Sequence, residues 1–172
     1  MPIRPATLDD VRAIAELQVV SWRAAYRDIL PEQILAALSV DDRAANWRQL
    51  LIDGTAEVRI AEENGSLLGI GSFGHSRDDD VPRHTAEVYA LYLDPSVWRR
   101  GIGRQLWQSA AGELAGRRFE RLIVWVFEAN AAARRFYEAM GCIQDTGASK
   151  LFERDGCRLV EVRYVRALNS AA

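Results

Sequence analysis

The chain has 172 residues, a formal net charge of −2, and 49% apolar and 27% charged residues. That length suits a single domain over residues 1–172, and the balanced charge argues against the broad basic surface of a nucleic-acid binder. No apolar run is long enough to cross a bilayer, and the N-terminal residues lack the apolar core of a signal peptide. We therefore expect a cytoplasmic protein with no membrane partner and no nucleic-acid partner.

The first third of the chain is predicted to be mainly helical. Residues 3–5 suit a short edge strand, because proline is tolerated at a sheet edge. Apolar residues then recur at helical spacing to about Ala25. Pro31 can begin a short second helix, and Asp41 or Asp42 can cap a third.

The hydrophobic period changes in the middle of the chain. Residues 57–75 contain two alternating runs around an Asn-Gly pair, which predicts a hairpin. After a polar loop at 77–83, alternation returns in 84–95 and predicts another strand. A helix over 101–116 follows, and the near-continuous apolar run in 121–130 predicts a buried strand.

The last third adds a helix and a hairpin. Asn130 can cap a helix over 131–140, which Gly141 ends. Two strands near 143–152 and 157–166 complete the chain. This order of elements predicts an α/β (α+β) sandwich with a mixed sheet.

One segment, DPSVWRRGIGRQL at residues 94–106, places two glycines among three arginines where a helix begins. A helix start offers unpaired N–H groups, glycine permits close approach, and arginine matches phosphate oxygens, so the segment suits a pyrophosphate. A tight turn with surface arginines is the alternative. Arg104 and Leu106 exclude the Walker and dinucleotide-binding loops, which need a lysine and a third small residue there.

Two motifs resemble the GNAT superfamily of N-acetyltransferases. The segment LYLDPSVWRRGIGRQL is similar to its acetyl-coenzyme A signature, Gln/Arg-x-x-Gly-x-Gly/Ala, with Trp98 where Gln or Arg is usual. Residues 130–142 resemble the family segment Asn-x-x-Ala-x-x-Phe-Tyr-x-x-x-Gly-Phe, with Cys142 at the final position. The positions that match are Gly101, Gly103, Asn130, Ala133, Phe136, Tyr137 and Gly141.

The resemblance implies a largely antiparallel sheet of about seven strands, flanked by four to five helices, and acetyl-CoA or CoA as the cofactor. The N–H groups of residues 100–104 would hold the pyrophosphate, and the pantetheine arm would enter a gap beside strand 86–93. Many members are dimers, so a homodimer is a further expectation that no residue here decides. The cofactor-binding residues implied are Leu91, Leu93, Arg99, Arg100, Gly101, Ile102, Gly103, Arg104, Asn130, Ala133 and Tyr137.

Acetyl transfer to an amine by direct attack in a ternary complex makes three chemical demands. The ammonium must lose a proton, since a free lysine titrates near about 10.4. The developing oxyanion needs donors, for which the N–H of Leu91 or Leu93 is available, and the departing sulfur needs a proton. Tyr137 matches the family's acid, on a helix face shared with Ala133 and Met140, although it could instead fill the core beside Phe136.

Glu87 is the candidate base, because it stands fourteen residues before Gly101, the spacing in family members that use a glutamate. Strict alternation would place it on one face with Tyr89, Leu91 and Leu93. It would then lie about 13 Å along the strand from Leu91, so a water relay is the expected route. A strand carboxylate that faces solvent is the alternative.

The acceptor is expected to be a small primary amine. Trp22 and Tyr26 share one helical face and, with Glu87, are the candidate acceptor-binding residues. The segment SWRAAYRDILP loosely resembles a subgroup that includes bacterial polyamine acetyltransferases, which makes a polyamine-like acceptor the first hypothesis. The run Asp78–Asp80 could attract such a cation or be only a solvated loop. A protein or peptide amine, and simple packing of the aromatic residues, are the alternatives.

Other functions and mechanisms are less well supported. A catalytically idle fold that senses CoA has no need of both Glu87 and Tyr137. An acetyl-cysteine route would need a reactive Cys142 or Cys157, neither of which has a histidine nearby in the sequence. We expect no metal site, because the two histidines flank an acidic loop without a ligand pattern typical of a metal.

Overall fold

The computed structural model describes residues 2–168 and has five helices in that range. A seven-stranded sheet has the order β1-β2-β3-β4-β5-β7-β6, and every neighbouring pair is antiparallel except β4 and β5. The mixed, largely antiparallel sheet predicted from the sequence is therefore confirmed. The helices are α1 Val11–Ala25, α2 Glu32–Ala36, α3 Val40–Asp53, α4 Ile102–Gly116 and α5 Ala131–Ala139. The strands are β1 Ile3–Pro5, β2 Glu57–Glu63, β3 Ser66–His75, β4 Thr85–Leu93, β5 Arg121–Phe127, β6 Ile143–Arg154 and β7 Cys157–Ala167.

Most predicted elements are found, but the start of α3 differs. The cap is Ser39, whose hydroxyl accepts a hydrogen bond from the Asp42 N–H at 3.2 Å. Asp41 and Asp42 were expected to cap this helix, and they instead occupy its first turn, where the helix dipole also favours acids. No helix within residues 2–168 is long and apolar enough to cross a membrane.

A β-bulge divides β4 into two halves. Without the bulge, side chains would alternate between the two faces of the sheet in one unbroken pattern along the whole strand. Ser72 pairs with Ala90 and Phe73 pairs with Val88, so Tyr89 is an extra residue opposite β3. The extra residue reverses which side chains point to each face of the sheet. The face occupied by Val88 before the bulge is occupied by Leu91 after it.

The two faces of the sheet bury different cores. Helices α4 and α5 cover one face, where Val88 and Val124 pack against Trp107 and Tyr137. Helices α1 and α3 cover part of the other face, where Tyr92 joins the cluster beneath α1. The sheet therefore separates two chemically different surfaces, one covered by α4 and α5 and the other partly covered by α1 and α3.

The start of the chain is held by Asp10, which accepts hydrogen bonds from the Thr7 N–H at 2.7 Å and from the Arg4 guanidinium at 2.8 and 2.9 Å. The hydrogen bond from Arg4 is the main cause that lowers the pKa of Asp10 to about 2. A lowered pKa in the folded state means that the carboxylate stabilises the fold above its unfolded pKa of about 3.9. That contribution is lost as the pH falls towards about 2.

We predict that Asp10→Asn lowers the free energy of unfolding by about 1 kcal/mol at neutral pH, because it weakens both the ion pair and the turn. The difference from the wild type should shrink as the pH falls below about 3.9. Urea denaturation at a series of pH values measures it. Asp9→Asn is the control, since Asp9 is exposed in the same turn. A deficit for Asp10→Asn that stays constant down to acid pH would contradict the assignment.

Candidate active site

The turn before α4 presents a group of free backbone donors. Gly101 caps the helix in the left-handed conformation, with φ of 83°, and a β-carbon there would meet nothing within 4 Å. In the described chain, the N–H groups of Gly101, Ile102, Gly103 and Arg104 have no backbone acceptor, whereas Gln105 donates to Gly101 at 3.1 Å. Open space above four free N–H groups at a helix N-terminus is what a phosphate group requires.

Three details of this turn depart from the sequence-based picture. The Arg100 N–H donates to Val97 O at 3.3 Å, so Arg100 was wrongly expected to offer its backbone to the anion. Gly103 serves packing, because a β-carbon there would lie 3.1 Å from Leu93 Cδ1 and 3.4 Å from Phe136. Trp98 donates from its indole to Leu93 O at 3.3 Å and so ties the turn to the end of β4.

The side chains of Arg99, Arg100 and Arg104 are exposed around the free donors. Arg100 has one distant carboxylate partner, Glu63 at 3.9 Å, and the other two form no salt bridge in the described chain. Guanidinium groups without an internal partner can form bidentate hydrogen bonds with phosphate oxygens. The turn therefore combines backbone donors, dipole and side-chain charge on one small surface.

A gap in the sheet begins beside this turn. Strands β4 and β5 pair in parallel only from Thr85–Val88 with Arg121–Val124. Beyond Val88, the edge of β4 that faces β5 has no strand partner, so the backbone groups over 89–93 can accept an added extended chain. Leu91 and Leu93 lie on this stretch, with side chains packed in the cluster beneath α4.

Glu87 lies on the opposite face from Leu91 and Leu93, so the expected shared face is wrong. The β-bulge at Tyr89 is the reason, because it shifts the alternation by one residue. Glu87 alternates with Val88, which packs under α4, and so it faces the side of the sheet where α1 lies.

The Glu87 side chain is not solvent-facing, since only 1% of it is exposed. Its carboxylate accepts a hydrogen bond from the Arg77 N–H at 3.0 Å and from the Arg77 guanidinium at 2.5 Å. The hydrogen bond to Glu87 is the first cause that raises the pKa of Arg77. The same guanidinium lies over the ring of Tyr89, 4.4 Å from its centre. A buried carboxylate is thus paired with one exposed arginine at the closed end of the gap.

Tyr137 lies beneath the gap on the face covered by α4 and α5. Its ring centre is 5.4 Å from Trp107 and 5.3 Å from Phe136. Burial raises the pKa of Tyr137, so the phenol remains protonated at neutral pH. Its hydroxyl has no hydrogen-bond partner within residues 2–168, while the neighbouring Tyr164 hydroxyl donates to Glu138 at 2.8 Å. Tyr137 therefore has a proton that no internal acceptor uses.

The helix that carries Tyr137 is placed by Asn130 at the end of β5. The Asn130 side-chain oxygen accepts from the Ala133 N–H at 3.1 Å, which confirms the cap. Its side-chain NH2 group is the part that remains for a ligand. Ala133, in the first turn, packs against the same cluster as Tyr137.

Aromatic rings form a wall on the α1 side of the gap. Trp22 and Tyr26 lie 5.0 Å apart, as their spacing predicted, and Trp22 is 6.4 Å from Tyr92. Tyr26 also contacts Phe127 on β5, with ring centres 5.2 Å apart. Phe127 in turn lies 5.1 Å from Phe152 on β6. The aromatic wall joins four segments distant in sequence and consists of Trp22, Tyr26, Tyr92, Phe127 and Phe152.

The acidic loop after β3 is pinned to the sheet by ion pairs, so the solvated loop considered from the sequence is wrong for Asp78, whereas Asp79 and Asp80 remain exposed. Asp78 is 3% exposed, accepts from Trp125 Nε1 at 2.9 Å and pairs with Lys150 and Arg163. Asp80 pairs with Arg163 at 2.7 Å. These pairs neutralise most of the loop's charge. A cavity of about 440 Å³ lies beside it, lined in part by Arg77, Trp125 and Lys150.

The remaining candidates from the sequence are structural. Cys142 is buried, and burial raises the pKa of its thiol to about 12, so a reactive thiolate is scarcely populated there. His75 packs against Phe119 with ring centres 4.7 Å apart. Among residues 2–168, no group of histidine, cysteine and carboxylate side chains could hold a metal ion.

A turn suited to pyrophosphate beside a gap that accepts an extended arm is the arrangement that a CoA-dependent acyltransferase requires. A comparison with protein families matches residues 14–142 to the Acetyltransferase (GNAT) family. The chain belongs to this family: it is an acyltransferase, and its cofactor is acetyl-CoA. The residues found here fit that cofactor, because the free donors and arginines of the turn match its phosphates.

Several characterised and uncharacterised proteins are similar to this chain. The uncharacterized N-acetyltransferase YuaI of Bacillus subtilis is 34% identical over 160 residues, which cover 93% of this chain and 89% of YuaI. The L-amino acid N-acyltransferase MnaT of Escherichia coli is 30% identical over 145 residues, 83% of this chain and 80% of MnaT. The structure of yncA from Salmonella typhimurium with acetyl-CoA has a TM-score of 0.73 at 25% identity, over 100% and 96% of the two chains.

Sequence reasoning missed the partner of Glu87 and much of the aromatic wall. Arg77 was assigned only to a polar loop, and Phe127 only to a buried strand. One signal was available for a further residue, Glu161, because a lone carboxylate interrupts the apolar positions of the last strand. The structure places Glu161 opposite Phe127 on the same sheet face.

We predict that Arg104→Ala weakens CoA binding several-fold, because an exposed guanidinium beside phosphate contributes modestly to affinity. The loss should be larger at low salt, where screening is weaker. Isothermal titration of CoA at two salt concentrations measures it. Arg121→Ala is the control, since Arg121 is exposed at the closely paired end of β4 and β5. Equal dissociation constants for the two variants would contradict the placement of the pyrophosphate.

Proposed function

We propose that the protein transfers an acetyl group from acetyl-CoA to the primary amine of a small molecule, by direct attack within a ternary complex. The observation that carries this proposal is the gap beyond Val88, which has a protonated tyrosine on one face of the sheet and a buried carboxylate on the other. A sulfur leaving group and an attacking amine need opposite proton transfers on opposite sides of one carbon. Tyr137 on one face of the sheet and Glu87 on the other are placed for these two proton transfers.

Each residue then has a defined task. Acetyl-CoA supplies the acetyl group as an activated thioester. The Tyr137 hydroxyl donates its proton towards the sulfur, because it has no competing acceptor in residues 2–168. The Glu87 carboxylate accepts the proton of the acceptor ammonium through a water, because its side chain is 1% exposed and both of its oxygens accept hydrogen bonds from Arg77. Backbone N–H groups of β4 beside the gap, those of Leu91 or Leu93, stabilise the oxyanion.

A small-molecule acceptor is supported by the site and by one relative. The cavity beside the pinned loop is lined by that loop, by Trp125 and by residues 147–150 of β6, which suits a compact ligand. MnaT, by its name, acts on L-amino acids, which are small-molecule amines. The polyamine-like acceptor first suggested by the sequence remains part of this proposal, and protein or peptide amines are outcomes of the test below.

The proposal is tested by measuring thiol release from acetyl-CoA with a panel of amines. The panel contains polyamines, aminoglycosides, amino acids and short peptides, with a control that lacks an acceptor. Release that depends on a small-molecule amine supports the proposal. Thiol release only with peptides would indicate that the acceptor is a protein or peptide amine. CoA binding without acceptor-dependent release across the panel would support an idle, CoA-sensing fold.

We predict that Tyr137→Phe lowers kcat at least about tenfold, with little change in the KM for acetyl-CoA. Phenylalanine keeps the ring packing against Trp107 and removes only the proton donor. Steady-state kinetics with a saturating acceptor measure both constants. Tyr164→Phe is the control, because that hydroxyl is engaged with Glu138 and Arg134, so its loss should reduce stability and leave kcat unchanged. Unchanged turnover in Tyr137→Phe would remove Tyr137 from the mechanism.

We predict that Glu87→Gln lowers kcat/KM most at acidic pH, where the acceptor amine is mostly protonated and most needs a base. Glutamine retains an oxygen for the Arg77 N–H, so the local backbone should persist. A pH profile of kcat/KM, with a thermal melt to check folding, measures the effect. The control is Glu120→Gln, an exposed carboxylate far from the gap. A pH profile of kcat/KM parallel to that of the wild type would contradict the assignment of Glu87 as the base.

A further inference from the structure

Glu161 on β7 is a carboxylate that the proposed mechanism does not use. Its cross-strand partners are Phe127 on β5 and Lys150 on β6. Directly opposed residues in antiparallel strands have β-carbons only about 5 Å apart, so the Glu161 side chain stands beside the Phe127 ring. It is partly buried, and within residues 2–168 its oxygens accept no side-chain hydrogen bond and form no salt bridge.

The cations around Glu161 are engaged by other carboxylates. Lys150 Nζ pairs with Asp78 and lies 4.0 Å from the centre of the Trp125 ring. The guanidinium groups of Arg77 and Arg163 pair with Glu87 and with three aspartates, Asp78, Asp80 and Asp145. Carboxylates thus outnumber cations in this region, and Glu161 is the partly buried one that has no partner in the described chain.

The surroundings of Glu161 favour a cation. The Phe127 ring beside it contacts Tyr26 at 5.2 Å and Phe152 at 5.1 Å. Aromatic faces attract ammonium groups, most strongly where water is excluded. Burial is the main cause that raises the pKa of Glu161, so its charge is poorly solvated. A ligand ammonium would relieve this cost, since an unpaired charge in a low-dielectric site is unfavourable.

We propose that Glu161, together with the rings of Tyr26 and Phe127, binds a second ammonium group of the acceptor. This inference rests on the proposed function, and it makes a diamine the preferred acceptor over a monoamine of the same length. The reacting amine would stand at the gap near Glu87, and the distal ammonium at Glu161. Both carboxylates lie on the α1 face of the sheet, and they are close enough for the charge of Glu87 to contribute to the raised pKa of Glu161, so one flexible aliphatic chain can reach both.

The test compares cadaverine with pentylamine, which differ only by one terminal ammonium. The wild type should prefer cadaverine by about tenfold or more in kcat/KM, the size of one well-placed charge interaction. Glu161→Gln should bring that preference close to one by raising the KM for cadaverine, with the pentylamine constants unchanged. Glu128→Gln is the matched control, because Glu128 is an exposed carboxylate next to Phe127 in the chain. The control should keep the wild-type preference.

Other outcomes would overturn the inference in distinguishable ways. Equal use of both amines by the wild type, or a preference that survives in Glu161→Gln, removes the second-ammonium role. An equal loss for both amines would place Glu161 on the reacting amine instead. Turnover of amino acids without turnover of cadaverine leaves the proposed function intact and overturns the diamine preference.

Binding provides a test that does not depend on turnover. If no acceptor releases thiol, the proposed function fails, and cadaverine binding to the CoA-loaded protein is measured by calorimetry. Binding to the wild type that is lost in Glu161→Gln and kept in Glu128→Gln supports the ammonium site. Equal binding, or none, in all three proteins overturns it.

Discussion

The hydrogen bonding between β4 and β5 ends after four residue pairs, and the site depends on this loss. Each backbone group that leaves the ladder would be unfavourable if it stayed buried without a partner. The free edge beyond Val88 is therefore both a cost and a binding surface, because an extended ligand can restore the missing bonds. The free N–H groups before α4 are likewise unpaired donors, and an anion bound there would supply the missing hydrogen-bond acceptors.

The bulge at Tyr89 decides what lies on each side of this gap. One extra residue turns Leu91 towards α4 and leaves Glu87 on the α1 side. Without it, and with Leu91 still facing α4, Glu87 would share the buried face with Tyr137, and the proposed acid and base would lie on one side of the sheet. A single insertion in one strand thus separates the two proposed catalytic groups, at a point where bulges commonly redirect side chains.

The contrast between the two sides also explains how they tolerate change. The proposed cofactor side consists of backbone groups, a glycine conformation and a packed tyrosine, which few substitutions preserve. The proposed acceptor side consists of side chains from α1, the acidic loop and β6–β7, which can be replaced one at a time. Proteins that share this cofactor turn can therefore act on different amines with the same backbone.

Much of the fold was predictable because local signals agreed with one another. The Asn-Gly hairpin, the helix at residue 101 and the Asn130 cap each carry a strong short-range signature, and all three are found. The face of the sheet on which Glu87 lies was not predictable. The bulge at Tyr89 contains no glycine or proline, so the alternating sequence pattern gives no sign of it. Arg77 and the rest of the aromatic wall beyond Trp22 and Tyr26 were missed, because their contacts join segments far apart in sequence, such as Tyr26 and Phe127.

The position of β7 inside the sheet has a consequence for the order of assembly. Strand β7 lies between β5 and β6, so the outer edge of β5 stays open until residues 157–167 have left the ribosome. Arg163, which fastens the acidic loop, arrives 85 residues after Asp78. The proposed acceptor pocket is therefore completed only once β7 is in place, and a chain that stopped before β7 would expose the apolar β5 edge.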